Sequence, residues 1–189
     1  MKKINQSLLL ISCLALASCS TFHKYATGRY YEIYRTEGLG ACEFKTKFNA
    51  CADTYSFDVK ISDDNDRIAL AEYFSPSDDA SYFGFIRGDY ARETQPIRDF
   101  IIWSKANSAG GKRVTVKRKA GNAVGYLFEH SDVVYVFDYI HSREDIPMLM
   151  LNIEGRGRYF GFTTEQAENL LQVLDAWYAG KFTGEKLTG

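Results

Sequence analysis

The chain has 189 residues, with 23 Lys and Arg against 24 Asp and Glu, for a formal net charge of −1. That near balance excludes the strongly basic composition of a nucleic-acid binder. Tyr and Phe number 13 each and Pro only 3, which favours strands; low-complexity tracts and repeats at solenoid periods are absent.

The first segment reads as an address. Met1, Lys2 and Lys3 precede an apolar run, Leu8 to Leu16, and the small residues Ala17 and Ser18. A positive start, a short apolar core and a small-residue exit make an export signal. The run is too short for a membrane span, which needs ~20 apolar residues. Leu16-Ala17-Ser18-Cys19 resembles the lipobox of bacterial lipoproteins. The resemblance is confined to this segment. It implies cleavage before Cys19, a diacylglyceryl group on the Cys19 sulfur and a third acyl chain on its new amino group. Residues 1–18 are then lost, Cys13 with them. Ser20 follows Cys19, and in Gram-negative lipoproteins that this segment resembles, Ser there implies passage to the outer membrane, with the periplasmic or surface side left open. One acyl chain holds a protein marginally and two or more hold it stably, so the implied partner of Cys19 is the membrane itself.

Cleavage leaves about 170 residues, enough for one domain with a core. Residues 19–27 carry the lipid and a short tether; Thr21–Thr27 spans only ~3.4 Å per residue when extended and keeps the body near the bilayer. The domain is expected over residues 28–189. Its first part, 28–54, is ambiguous: it holds a possible strand at Arg29–Arg35 and the cysteines Cys42 and Cys51. In an oxidising compartment an even pair of cysteines reads as a disulfide. A catalytic thiol is the competing reading, but the Asp-Cys-Ser-Gly surroundings of cell-wall cysteine peptidases are missing from Leu39-Gly40-Ala41-Cys42-Glu43.

Beyond Thr54 the period-2 pattern is clear. Tyr55, Phe57, Val59 and Ile61 alternate with Ser56, Asp58 and Lys60, which predicts one half-buried strand. Residues 62–66 turn the chain, and Arg67–Phe74 returns it. Further strands are predicted at Tyr82–Ile86, Ile97–Lys105, Lys112–Arg118, Val124–Glu129, Val133–Ile140, Met148–Ile153 and Arg158–Phe162, separated by turn residues. Those containing 99–103, 133–140 and 148–153 are apolar on both faces, as central strands are. A helix is predicted from Thr164 to Ala179. Thr163 and Gln166 fit a capping box, Gly180 fits a C-terminal stop, and Ala167, Leu170, Leu171, Leu174, Trp177 and Tyr178 form an apolar face directed at the core. The expected fold is mainly β, in the α+β sense: an antiparallel curved sheet or sandwich with one C-terminal amphipathic helix packed on it.

The sequence carries no HExxH, GxSxG, CxxC or P-loop motif, and no catalytic residue, cofactor or metal site is predicted. His23 lies on the tether. His130 and His141 flank a strand ~25 Å long, too far apart to share a metal. Asp63, Asp64, Asn65 and Asp66 read as a turn; the Gly and distal Glu of an EF-hand loop are missing. Arg87-Gly88-Asp89 reads as turn chemistry. The most distinctive stretch is Lys112, Arg113, Lys117, Arg118 and Lys119, a local positive patch on an acidic chain. Val114 and Val116 point to one face, and Arg113, Thr115 and Lys117 to the other. The patch suits anionic lipid heads, lipopolysaccharide phosphates or an acidic protein partner; it equally suits an edge strand kept charged against edge-to-edge pairing. The function expected is that of a lipid-anchored envelope protein acting by binding or assembly, with a protein partner and without catalysis. Two other classes compete: a periplasmic inhibitor or immunity lipoprotein, and an envelope enzyme whose site assembles only in three dimensions.

Overall fold

Instead of completing one sheet before starting the next, the chain crosses between two antiparallel sheets. The structure, a computed structural model, describes residues 31–71, 81–106, 109–117, 132–141, 145–153 and 159–187. Strands β1 (Tyr31–Arg35), β4 (Asp58–Ser62), β5 (Arg67–Ala71), β6 (Ser81–Ile86) and β11 (Glu185–Leu187) form a five-stranded sheet in the order β11-β1-β4-β5-β6. Strands β2 (Gly40–Lys45), β3 (Ala50–Ser56), β7 (Lys112–Val116), β8 (Val133–His141), β9 (Asp145–Ile153) and β10 (Tyr159–Phe162) form a six-stranded sheet in the order β3-β2-β10-β9-β8-β7. Two helices complete the body, α1 (Tyr90–Lys105) and α2 (Thr164–Tyr178).

One apolar core joins both sheets and both helices. The five-stranded sheet supplies Val59, Ile68, Leu70 and Phe85, and the six-stranded sheet supplies Tyr135, Phe137, Leu149, Leu151, Phe160 and Phe162. Ile97 and Phe100 enter from α1, and Ala167, Leu170, Leu174 and Trp177 from α2. Burying a side chain of this size stabilises by ~1.5–3 kcal/mol, so the shared core dominates the energetics. The helices run antiparallel: Tyr90 stacks on Tyr178 with ring centroids 3.8 Å apart, Arg98 pairs with Asp175 at 2.6 Å, and Lys105 pairs with Glu168 at 2.5 Å.

The crossing between sheets is made twice at one place. The chain leaves β1 for β2 through Thr36–Leu39, and leaves β3 for β4 through Phe57. There the Phe57 amide donates to the Leu39 carbonyl at 2.9 Å. Phe57 is buried in the core and meets Phe160 edge-on at 5.8 Å. The segment Tyr55–Ile61, predicted as one strand, is therefore two strands in two sheets. The alternation survives the break because both sheets face the same core, and Tyr55, Phe57, Val59 and Ile61 all still point into it.

A second correction concerns Ile97–Lys105, predicted as a strand and found inside α1. Its buried residues include Glu93, Ile97, Phe100 and Ser104, spaced as one helical stripe. Strand alternation would place Phe100 and Ile102 on the same face, yet Phe100 is fully buried and Ile102 is 68% exposed. The fold thus has a second helix beside the expected C-terminal one. The predicted strand Val124–Glu129 lies outside the described residues, as does the end of Arg67–Phe74.

The C-terminal helix forms as its sequence predicts, ending at Tyr178. Gln166 donates its amide to the Thr163 hydroxyl at 3.3 Å, and Thr163 donates its amide to Gln166 Oε1 at 3.0 Å. At the other end Gly180, with φ of +68°, lets its own amide reach the Trp177 carbonyl and the Lys181 amide reach the Ala176 carbonyl, the two bonds of a Schellman stop. Arg87 completes this end. Its guanidinium donates to the carbonyls of Trp177 (3.0 Å) and Tyr178 (2.8 Å), lies over both their rings, and donates through Nε to the Asn65 carbonyl at 2.8 Å. A cation at a helix C-terminus is favoured by the helix dipole. Asn65 sits in the β4–β5 turn with φ of 55°, and Asp64 there accepts from the Ser62 hydroxyl and the Asp66 amide. The acidic run is a turn, as read from the sequence, and Arg87 welds it to α2.

The crossover demands a residue without a side chain at Gly40, where a Cβ would stand 2.7 Å from the Tyr55 carbonyl oxygen. Backbone cannot yield as a side chain can. Gly40→Ala is expected to lower stability by ~1–3 kcal/mol, read as a shift in urea midpoint with an unchanged slope; an unaltered midpoint would show that the crossover tolerates displacement.

Candidate functional site

The basic segment forms β7, the last strand of the six-stranded sheet. It pairs with β8 without a slip: Lys112 with Phe137, Arg113 with Val136, Val114 with Tyr135, Thr115 with Val134 and Val116 with Val133. Alternation then divides the patch. Val114 and Val116 pack on the core, and Lys112 shares their face. The Lys112 ammonium lies 3.4 Å from Asp99 on α1 and 5.4 Å from the centroid of the Phe137 ring. Arg113 and Thr115 are exposed on the opposite face, and Lys117, directly after the strand, is exposed as well. Among the described residues neither Arg113 nor Lys117 has an ion-pair partner. The predicted cluster is thus resolved into one cation engaged by α1 and two that are open. Arg118 and Lys119 lie outside the described residues.

The other edge of this sheet carries the cysteines. Cys42 and Cys51 are joined, with Cα atoms 5.4 Å apart. The bond ties β2 to β3 where their register slips between Cys42 and Phe44, so it holds a hairpin at its weakest rung. Cys42 is buried and Cys51 exposed. Between them a short 3₁₀ turn, Thr46–Phe48, ends at Asn49 with φ of 47° and presents Phe48, 72% exposed, with the Lys47 ammonium 5.7 Å from its ring. Within the region left ambiguous by the sequence, the expected disulfide therefore staples a hairpin.

The polar clusters elsewhere bind elements together. Tyr90 donates to Asp175, which Arg98 also engages. Burial, and then the Asp175 carboxylate, raises the Tyr90 phenol above its ordinary range; the bond to Asp175 raises the Arg98 guanidinium. A phenol so held is a hydrogen-bond donor that stays protonated. Glu32 is drawn below the ordinary carboxylate range, chiefly by Lys186 across the β1–β11 pair and then by Tyr34 on its own strand. The Arg-Gly-Asp tripeptide is folded inward: Arg87 caps α2, and Asp89 is buried and paired with Arg92. Sequence reading missed this role of Arg87, which stands 90 residues before the helix end it caps, a distance over which no local pattern reports. His141 closes β8 opposite Asp145, whereas His23, His130 and Cys19 lie outside the described residues. Among the described residues no three of His, Cys, Asp and Glu are grouped to hold a metal, and no helix is long and apolar enough to cross a membrane.

The joined cysteines are expected to resist alkylation of the native protein unless a reductant is added, and reduction is expected to cost about 2–3 kcal/mol of stability. Labelling of the exposed Cys51 without reductant, read by mass, would contradict the pairing.

Comparison with protein-family models, with curated proteins and with solved structures finds no match to this chain.

Proposed function

We propose that the protein is a lipid-anchored lipoprotein of the cell envelope, held at the outer membrane through Cys19, whose folded body works by binding a partner. The observation that carries this reading is Leu16-Ala17-Ser18-Cys19 behind an export signal. The disulfide between Cys42 and Cys51 supports an oxidising compartment. The binding role is supported by two open cations, Arg113 on β7 and Lys117 directly after it, on a chain whose overall charge is negative. Such a surface attracts anionic groups at a range of ~8 Å in physiological salt, so the partner is one of opposite charge.

Two measurements test the two halves. Cys19→Ser is expected to leave the chain unprocessed or to release it from the outer-membrane fraction; normal processing and unchanged fractionation would refute the lipid anchor. Affinity capture from envelopes, run across a salt series, tests the binding half. Arg113→Glu with Lys117→Glu is expected to abolish a salt-sensitive capture while changing stability by under ~0.5 kcal/mol, as exposed positions allow. Capture indifferent to both salt and reversal would return these cations to the role of guarding a sheet edge.

A further inference from the structure

We propose that β7 is a strand-addition site for an extended acidic segment of a protein partner. This deepens the binding role proposed above and rests on it. The two sheets have four edges among the described residues: β11 and β6 in one, β3 and β7 in the other. Strand β11 has three residues. Strand β6 meets β5 with a slip between Leu70 and Ala71, and β3 meets β2 with a slip between Cys42 and Phe44. Strand β7 alone of the longer three pairs with its neighbour in unbroken register, over all five residues. A regular edge presents unpaired N–H and C=O groups at every second residue, the template to which an extended peptide adds.

The side chains on that template select the occupant. Arg113 and Thr115 share one face of β7 at a spacing of ~6.8 Å, and Lys117, directly after the strand, follows in the same alternation. An added strand repeats at the same spacing, so acidic residues at alternate positions fall beside both cations, with opposed Cβ atoms ~4.5–5.5 Å apart. A second copy of this chain offers no acidic partner to either cation: antiparallel pairing of two β7 strands about Val114 sets Arg113 against Thr115, and pairing about Thr115 sets Arg113 of each against Lys117 of the other, where like charges are destabilising. The core face of β7 is occupied, with Val114 and Val116 packed on the core and Lys112 engaged by Asp99 of α1, which leaves the edge and the Arg113 face as the way in.

The test uses the purified full chain in a zwitterionic detergent and a fluorescent peptide of alternating Glu and Val, followed by anisotropy at low ionic strength. Saturable binding is expected. It should weaken at least about tenfold when the amides along one edge of the peptide are N-methylated, because strand addition needs those donors. It should weaken as much in the Arg113→Glu, Lys117→Glu chain, which should instead bind a peptide of alternating Lys and Val. Absence of saturable binding overturns the proposal. Equal binding of the N-methylated peptide overturns strand addition alone and leaves a charge-driven partner in place. Competition by phosphatidylglycerol vesicles at matched charge, without loss on N-methylation, reassigns the surface to lipid. Loss of salt and reversal dependence in the envelope capture, by contrast, removes the binding role itself.

Discussion

The body is held as one unit by a paired crossing of the backbone. At Leu39 and Phe57 two segments leave one sheet for the other side by side, joined by the Phe57–Leu39 hydrogen bond. Buried backbone groups need partners, and at a crossing neither sheet's ladder supplies them; here the two segments supply each other. Asn169 of α2 adds a bond to the Gly38 carbonyl at 3.0 Å, so the C-terminal helix is keyed to the same junction. Because the crossing places Phe57 between the sheets, against Phe160 of β10, strands distant in sequence close on a common core. Without it the five-stranded and six-stranded sheets would be neighbours on a string.

The helices are fixed by a different kind of contact. Their inner faces are apolar and account for the energy, while the outer seam is polar: Tyr90, Arg98 and Asp175 at one end, Lys105 and Glu168 at the other. Ion pairs as exposed as these contribute little individually, but they set the angle and register of the pair. Arg87 does more, since it spends its donors on the open carbonyls of α2 and on the β4–β5 turn. It thereby makes the end of the last helix part of the five-stranded sheet. Lys112 and Asp99 do the same on a smaller scale between α1 and the edge of the six-stranded sheet. Strand β7 thus lies on a fixed backing.

The parts of this fold that could be read from sequence are those whose signal is local. The capping box at Thr163 and the stripe from Ala167 to Trp177 specify α2 nearly to the residue. The hairpin turn at Asp63–Asp66 and the division of β7 into two faces follow from turn chemistry and a period of 2. Where two structures satisfy one pattern, reading failed. The run Phe100-Ile101-Ile102-Trp103 is apolar on every side and hides the helical period, and Pro96 within α1 argues against a helix by its missing donor. Tyr55–Ile61 keeps perfect alternation through a change of sheet, because alternation records which way a side chain faces and not which strand lies beside it. For the candidate surface, composition was enough to find the cations. Separating Lys112 from Arg113 and Lys117 required knowing that Asp99 stands on a helix over one face.

The edge of a sheet is a template for pairing, and the four edge strands among the described residues differ in how they present it. At β3 the ladder is broken by a slip and locked by a covalent bond between Cys42 and Cys51. At β11 the strand is three residues long and tied by Lys186 to Glu32 at 2.5 Å. At β6 the register shifts. These are features of geometry, and they make each edge a less regular template than β7. The defence of β7 is charge on an otherwise regular edge, and charge discriminates. Under the strand-addition role proposed above, it favours a strand of opposite sign over one of like sign, so the device that guards the edge is also the one that selects what joins it.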